Sequence, residues 1–149
     1  MIQRIQTIYW FLIGVFFILM IPFDWMSFVL ANGDYLFSAN GITQGADTVI
    51  TGWPLMVYLI AMAALNFVII FLFKKRILQS KLSMISIVMC LGFYAVMLMY
   101  RYMSFEDEVM NANYYWPLIL PLINAILSFM GWRAAINDEA YVRSLDRLR

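Results

Sequence analysis

Four stretches of the chain carry no Asp, Glu, Lys or Arg: residues 8–23, 54–73, 82–100 and 116–132. They are apolar on all sides rather than alternating. In a helix, about 20 such residues cross a hydrocarbon layer of roughly 30 Å with their backbone polar groups satisfied internally. The first and last stretches are short, so Ile5, Gln6 and Thr7 extend the first helix and residues 133–136 the last. The predicted spans cover residues 5–23, 54–73, 82–102 and 116–136, joined by an outer loop over 24–53, an inner loop over 74–81 and a second outer loop over 103–115. The expected fold is a single integral domain, an all-α membrane protein built as a four-transmembrane-helix bundle.

The first outer loop has a pattern of its own. Asn32-Gly33 and Asn40-Gly41 are turn pairs that tolerate positive φ, flanked by the short runs WMSFVL, DYLFSA and ITQ. Either a small β-hairpin or meander forms here, or an irregular loop. Both longer runs are apolar on both faces, so a sheet made from them should lie on the helix ends or on a partner.

In the fourth span Pro117, Pro121, Asn124, Ser128 and Gly131 recur at steps of four, three, four and three, which places them on one helical stripe. Small and polar residues let helices approach closely in a bilayer, so this stripe is expected to face protein. Pro117 suits a first turn, whereas Pro121 removes an amide from the backbone ladder and is expected to bend the helix. Ser83, Ser86 and Cys90 repeat the pattern in the third span, and Ala63 and Asn66 in the second.

Composition and charge then set environment and orientation. With 64% hydrophobic residues and a mean hydropathy of +0.80, the chain lies far from ordinary soluble domains. Nine of its ten bases fall on one side of the predicted topology: Arg4, then Lys74, Lys75, Arg76 and Lys81, then Arg133, Arg143, Arg147 and Arg149. Asp24, Asp34, Asp47, Glu106, Asp107 and Glu108 fall on the other, with Arg101 the only base there. The positive-inside rule makes both termini cytoplasmic. Trp25, Trp53, Tyr102, Tyr114, Tyr115 and Trp116 mark the outer border, and Trp10 and Trp132 the inner one. A competing reading is a cleaved signal peptide, since Arg4, a short apolar core and Val29-Leu30-Ala31 loosely copy its three regions.

Lys74, Lys75, Arg76 and Lys81 are candidate contacts for anionic headgroups; so short a basic stretch is not expected to bind nucleic acid. The tail differs. Asn137 can cap a helix over residues 137–149, with Asp138 and Glu139 in its first turn, Arg147 and Arg149 in its last, and Glu139 four residues before Arg143. Tyr141, Leu145 and Leu148 give it an apolar edge. Such a nearly balanced amphipathic helix suits protein contact, either with the inner loop or with a cytoplasmic partner. Glu139, Arg143 and Arg147 are candidate docking residues there. Arg101 is another: it either pairs with the acidic run at residues 106–108 or receives a charged partner or lipid headgroup.

Several chemistries find no support. Without His and with Cys90 as the only cysteine, the chain cannot build a His/Cys zinc site, an internal disulfide or a dithiol relay. Met99 and Met103 have a spacing that soft copper ions favour, but Met is also an ordinary filler of apolar interfaces. No nucleophile has a neighbouring base, so no catalytic residue, metal or cofactor is expected. No ionisable group lies at mid-membrane, as coupled transport normally requires. Asn66 and Asn124 are read as packing contacts; such hydrogen bonds average about 0.6 kcal/mol in membranes.

The opening MIQRIQTIY, the inner IFLFKKRILQSKL and the closing DEAYVRSLDRLR together resemble a family of small four-span membrane proteins of Bacteroidota, catalogued as domain of unknown function 4293. The resemblance implies a bacterial inner-membrane protein with cytoplasmic ends and supplies no catalytic residue. It also weighs against signal cleavage, because the matching N-terminus belongs to the family's body. The function expected is that of a non-enzymatic accessory or assembly subunit, embedded in the lipid bilayer and offering its outer loop and cytoplasmic tail to protein partners. The alternative is a carrier or receptor for a small apolar ligand or lipid held beside Pro121 and Asn124. A weaker third reading, an intramembrane enzyme, needs a cofactor from outside the chain.

Overall fold

A computed structural model describes residues 3–30, 33–73, 75–104 and 111–146, with side chains over 6–30, 33–73, 75–102 and 111–138. Helix α1 (Gln3–Leu19) leads into strands β1 (Asp24–Leu30), β2 (Gly33–Ser38), β3 (Gly41–Gln44) and β4 (Asp47–Thr51). Then come α2 (Trp53–Phe71), α3 (Arg76–Ser104), β5 (Asn111–Tyr114), a 3-10 turn (Trp116–Ile119) and α4 (Leu120–Asp146). The strands make one antiparallel sheet in the order β4-β3-β2-β1-β5. It gathers the C-terminal ends of α1 and α3 and the N-terminal ends of α2 and α4.

This overturns the all-α expectation. The chain combines four helices with a five-stranded sheet, and three helices, α2, α3 and α4, have the length and apolarity to cross a membrane; the apolar part of α1, Gln6–Leu19, is shorter. At about 1.5 Å per residue the 17 residues of α1 reach about 26 Å, short of the roughly 30 Å of a hydrocarbon core. The helix stops before its predicted end because Pro22 disfavours helical backbone at Ile21, and the chain turns into β1. The turn is pinned by Trp25, whose Nε1 donates to the Met20 carbonyl at 2.9 Å, one of the acceptors a helix end leaves open.

The hairpin alternative in the first outer loop is the one realised, and it extends further than expected. Pairings Leu30↔Gly33, Ser38↔Gly41 and Gln44↔Asp47 each leave a two-residue connection. Two fall at the Asn-Gly pairs, of which Asn32 lies outside the described residues. The third, Gly45-Ala46, adds β4. Strand β5, from the predicted second outer loop, then pairs with β1 from Met26↔Tyr114 to Val29↔Asn111. With β2 on its other side, β1 becomes an interior strand, buried along almost its whole length. Its Trp25 ring meets Phe37 and Phe93 edge-on at 5.5 and 5.2 Å, while Phe37 stacks on Tyr100 at 6.2 Å. These contacts seat the sheet on α3.

Three boundaries also shift. Lys75 N–H bonds the Leu72 carbonyl at 2.8 Å, so the predicted inner loop contracts to a tight turn and α3 starts at Arg76, carrying Arg76 and Lys81 on its first turns. No Gly or Pro interrupts α4 around Asn137; it runs unbroken to Asp146 instead of yielding a separate capped tail helix. Pro121 does not bend a helix interior: the 3-10 turn lets Leu120 N–H bond the Pro117 carbonyl, and Pro121 falls in the first α-turn, where a missing N–H is harmless.

Candidate functional site

Two arrangements of polar side chains stand out against the apolar body. The first is a seam through the helices. Asn66 on α2 donates Nδ2 to the Met62 carbonyl at 2.8 Å and accepts on Oδ1 from Ser86 Oγ of α3 at 3.1 Å. Ser86 Oγ also lies 3.1 Å from Ser128 Oγ of α4. A hydroxyl has one proton, so with that of Ser86 committed to Asn66, Ser128 is the donor to Ser86. Three helices are thereby tied at one point. Pro117, Pro121, Asn124, Ser128 and Gly131 are all buried. Gly131 faces Trp10 of α1: a Cβ there would meet the indole Nε1 at 3.0 Å. Asn124 is fully buried, and neither Nδ2 nor Oδ1 has a hydrogen-bond partner among the described residues.

The second arrangement lies at the opposite end from the sheet. A cleft of about 310 Å³ opens between Gln6, Thr7 and Trp10 of α1, Phe71 of α2, and Arg76 and Gln79 of α3. Gln6, Arg76 and Gln79 are held by bonds to α4 and to the end of α2. Gln6 Nε2 donates to Asp138 Oδ2 at 2.8 Å, Arg76 Nη1 to the Asp138 backbone carbonyl at 3.2 Å, and Gln79 Nε2 to the Ile69 carbonyl at 3.2 Å. The last bond adds a second donor to a carbonyl at the end of α2 that already accepts from Leu72 N–H, and Ser83 Oγ in turn donates to the Gln79 carbonyl at 2.9 Å. Burying two glutamines in an apolar body is tolerable because they have such partners.

The other predicted site residues are dispersed. Arg101 is half-buried with its guanidinium 5.8 Å from the centre of the Phe28 ring, a cation-π contact; the acidic run at 106–108 lies outside the described residues. Lys75 and Lys81 are exposed at the cleft end, and Lys74 lies outside the described residues. Glu139 and Arg143 belong to α4, but their side chains, like all of Arg147, lie outside the described ones. Met99 is exposed, and among the described residues no three His, Cys, Asp or Glu side chains are grouped to hold a metal. Of the aromatic residues read as border markers, Trp25 and Trp10 are buried within the protein, while Trp53, Tyr102, Tyr114 and Trp116 are exposed. Sequence reasoning did not single out the cleft residues Gln6, Thr7, Trp10 and Gln79 as a group. The signal available was the placing of two glutamines at the ends of apolar stretches.

The cleft is not lined by Pro121 or Asn124, so the seam and the cleft are separate features. Hydrogen bonding joins the residues of the seam, and hydrogen bonding and charge those of the cleft. No curated protein and no solved structure matches the chain. The family model described as Domain of unknown function (DUF4293) matches residues 2–148, nearly the whole sequence, and the chain belongs to that family.

Proposed function

We propose that this is a non-enzymatic protein of the bacterial inner membrane that acts as an accessory or assembly subunit. In this reading α2, α3 and α4 cross the bilayer with the shorter α1 crossing beside them, packed against α2 and α4; the basic end and both chain termini face the cytoplasm, and the sheet stands on the opposite side. Exposed Lys75, Lys81 and Arg133 at one end support the orientation. The observation that carries the function is the edge of the sheet. Strand β4 is terminal in the strand order, four of its five residues are exposed, and its outer side pairs with no strand among the described residues. An edge of this kind accepts a strand from a partner by main-chain pairing. A photo-crosslinking residue at Val49 should give one discrete protein adduct in intact cells, and Thr48→Lys should remove it. No adduct, or the same adducts from Ala46 in the adjoining turn, would count against the reading.

A second reading, a carrier or receptor for a small ligand between the helices, draws on the amide of Asn124, which has no partner among the described residues. The polar end of a ligand would satisfy that amide. A small molecule that co-purifies with the protein and is lost in Asn124→Leu would favour it.

A further inference from the structure

We infer that the cleft at the basic end binds the phosphodiester headgroup of an anionic phospholipid, with Arg76 as the anion-binding residue and the aromatic rim guiding the acyl chains. The inference uses the proposed orientation only to put the cleft at a bilayer surface, and its geometry is independent of the sheet. Arg76 makes no ion pair among the described residues: it bonds the backbone carbonyl of Asp138, whose carboxylate accepts from Gln6. A guanidinium always carries its proton and presents donors in a planar fork that fits two phosphate oxygens at once. The 3.2 Å bond from Nη1 to the Asp138 carbonyl holds that fork in place. Lys75, exposed one residue away, adds positive potential.

The rest of the cleft favours a lipid over a hydrated ion. Phe71 is 78% exposed and Phe73 53%, and both line the opening, where they offer surface to acyl chains and nothing to a free anion. Trp10 and Ile70 also line it. About 310 Å³ accommodates a phosphate with its glycerol, at the small end of ordinary ligand sites.

The test is native mass spectrometry of the full chain in a neutral detergent, titrated with phosphatidylglycerol and, separately, phosphatidylcholine with the same chains. One phosphatidylglycerol should be retained with about tenfold preference, the scale expected for one charge-assisted bidentate contact. Arg76→Gln should abolish the preference and Arg76→Lys keep part of it. Arg133→Gln, the same charge change outside the cleft, should leave it intact. Thr7→Trp, which fills the cleft without touching a charge, should lose binding, so the inference survives a folding failure of Arg76→Gln. Equal retention of both lipids, an equal loss in Arg133→Gln, or retention unchanged in Thr7→Trp would overturn it. Displacement by millimolar inorganic phosphate would assign the cleft to the free ion and overturn the lipid assignment. Loss of the Val49 adduct would leave this result standing, and the reverse also holds.

Discussion

Gly131 and Trp10 show how one missing side chain decides the approach of two helices. Trp10 is 1% exposed, and an added Cβ at Gly131 would lie 3.0 to 3.2 Å from three atoms of its indole. Gly131→Ala adds that contact but also gains about 1 kcal/mol of helix propensity, so the two effects nearly cancel. Gly131→Leu has no such offset and should cost about 1–3 kcal/mol by overpacking, visible as a lowered Tm in detergent. The two asparagines should behave oppositely. Asn66→Leu takes the acceptor from Ser86, leaving it only its bond with Ser128, and should destabilise by about 0.6–1 kcal/mol. Asn124→Leu removes two orphaned polar atoms whose burial costs about 1–3 kcal/mol each, and should match or exceed the parent Tm. A fall in Tm for Asn124→Leu would mean that a bound polar group had been removed with the side chain. Spacing alone made the stripe through Asn124 and Ser128 legible. It could not show that Ser128 has a partner and Asn124 none among the described residues, because that depends on which turn of α3 lies opposite. The burial of Trp25 was hidden for a related reason. A tryptophan at the end of an apolar run looks like an interface anchor, and only the reversal after Pro22 brings its N–H back to the Met20 carbonyl.

Among the elements, the β-hairpins depend on glycine where the backbone demands it. Gly41 has φ +114°, and a Cβ there would collide with the Ile50 carbonyl and the backbone of Gly52. Gly41→Val combines backbone strain with a clash in the strand pairing and should cost about 3 kcal/mol or more. Hydrogen exchange of the β3 and β4 amides is the measurement. Gly45 has φ +61° with open space around it, so Gly45→Ala should cost only about 1 kcal/mol. The Asn-Gly pairs marked the first two turns in the sequence. The third was available in the Gly-first order of Gly45-Ala46 between ITQ and DTVIT, since glycine leads one of the two favoured hairpin turns. Strand β5 was not. NANY alternates over only four residues and has no β-branched residue, and its conformation is imposed by the edge of β1. Helical lengths were legible where apolar runs ended in charge and illegible where a turn consumed apolar residues, as at the end of α1.

For the molecule as a whole, hydropathy identified a membrane protein but concealed a sheet made from the same kinds of residue. Phe, Trp, Leu and Met serve both as lipid-facing side chains and as the floor of the sheet, and their number does not say which. The proposed orientation makes a direct prediction. In the Cys90→Ser background, a cysteine at Ala46 should react with a membrane-impermeant maleimide in intact cells, and one at Lys81 only after the membrane is opened. The reverse pattern would invert the molecule. It would also put the cleft and the sheet edge in the wrong compartments for the roles given to them.

The pairing of β5 with β1 joins segments far apart along the polypeptide, with α2 and α3 between them. During synthesis β1 leaves the ribosome early, yet its second neighbour emerges only after α2 and α3 have been made. Until then an apolar strand must wait with one side unprotected. The newborn protein therefore depends on prompt delivery of its later half, and a chain truncated after α3 would expose a surface suited to quality-control proteases or to mispairing with another copy.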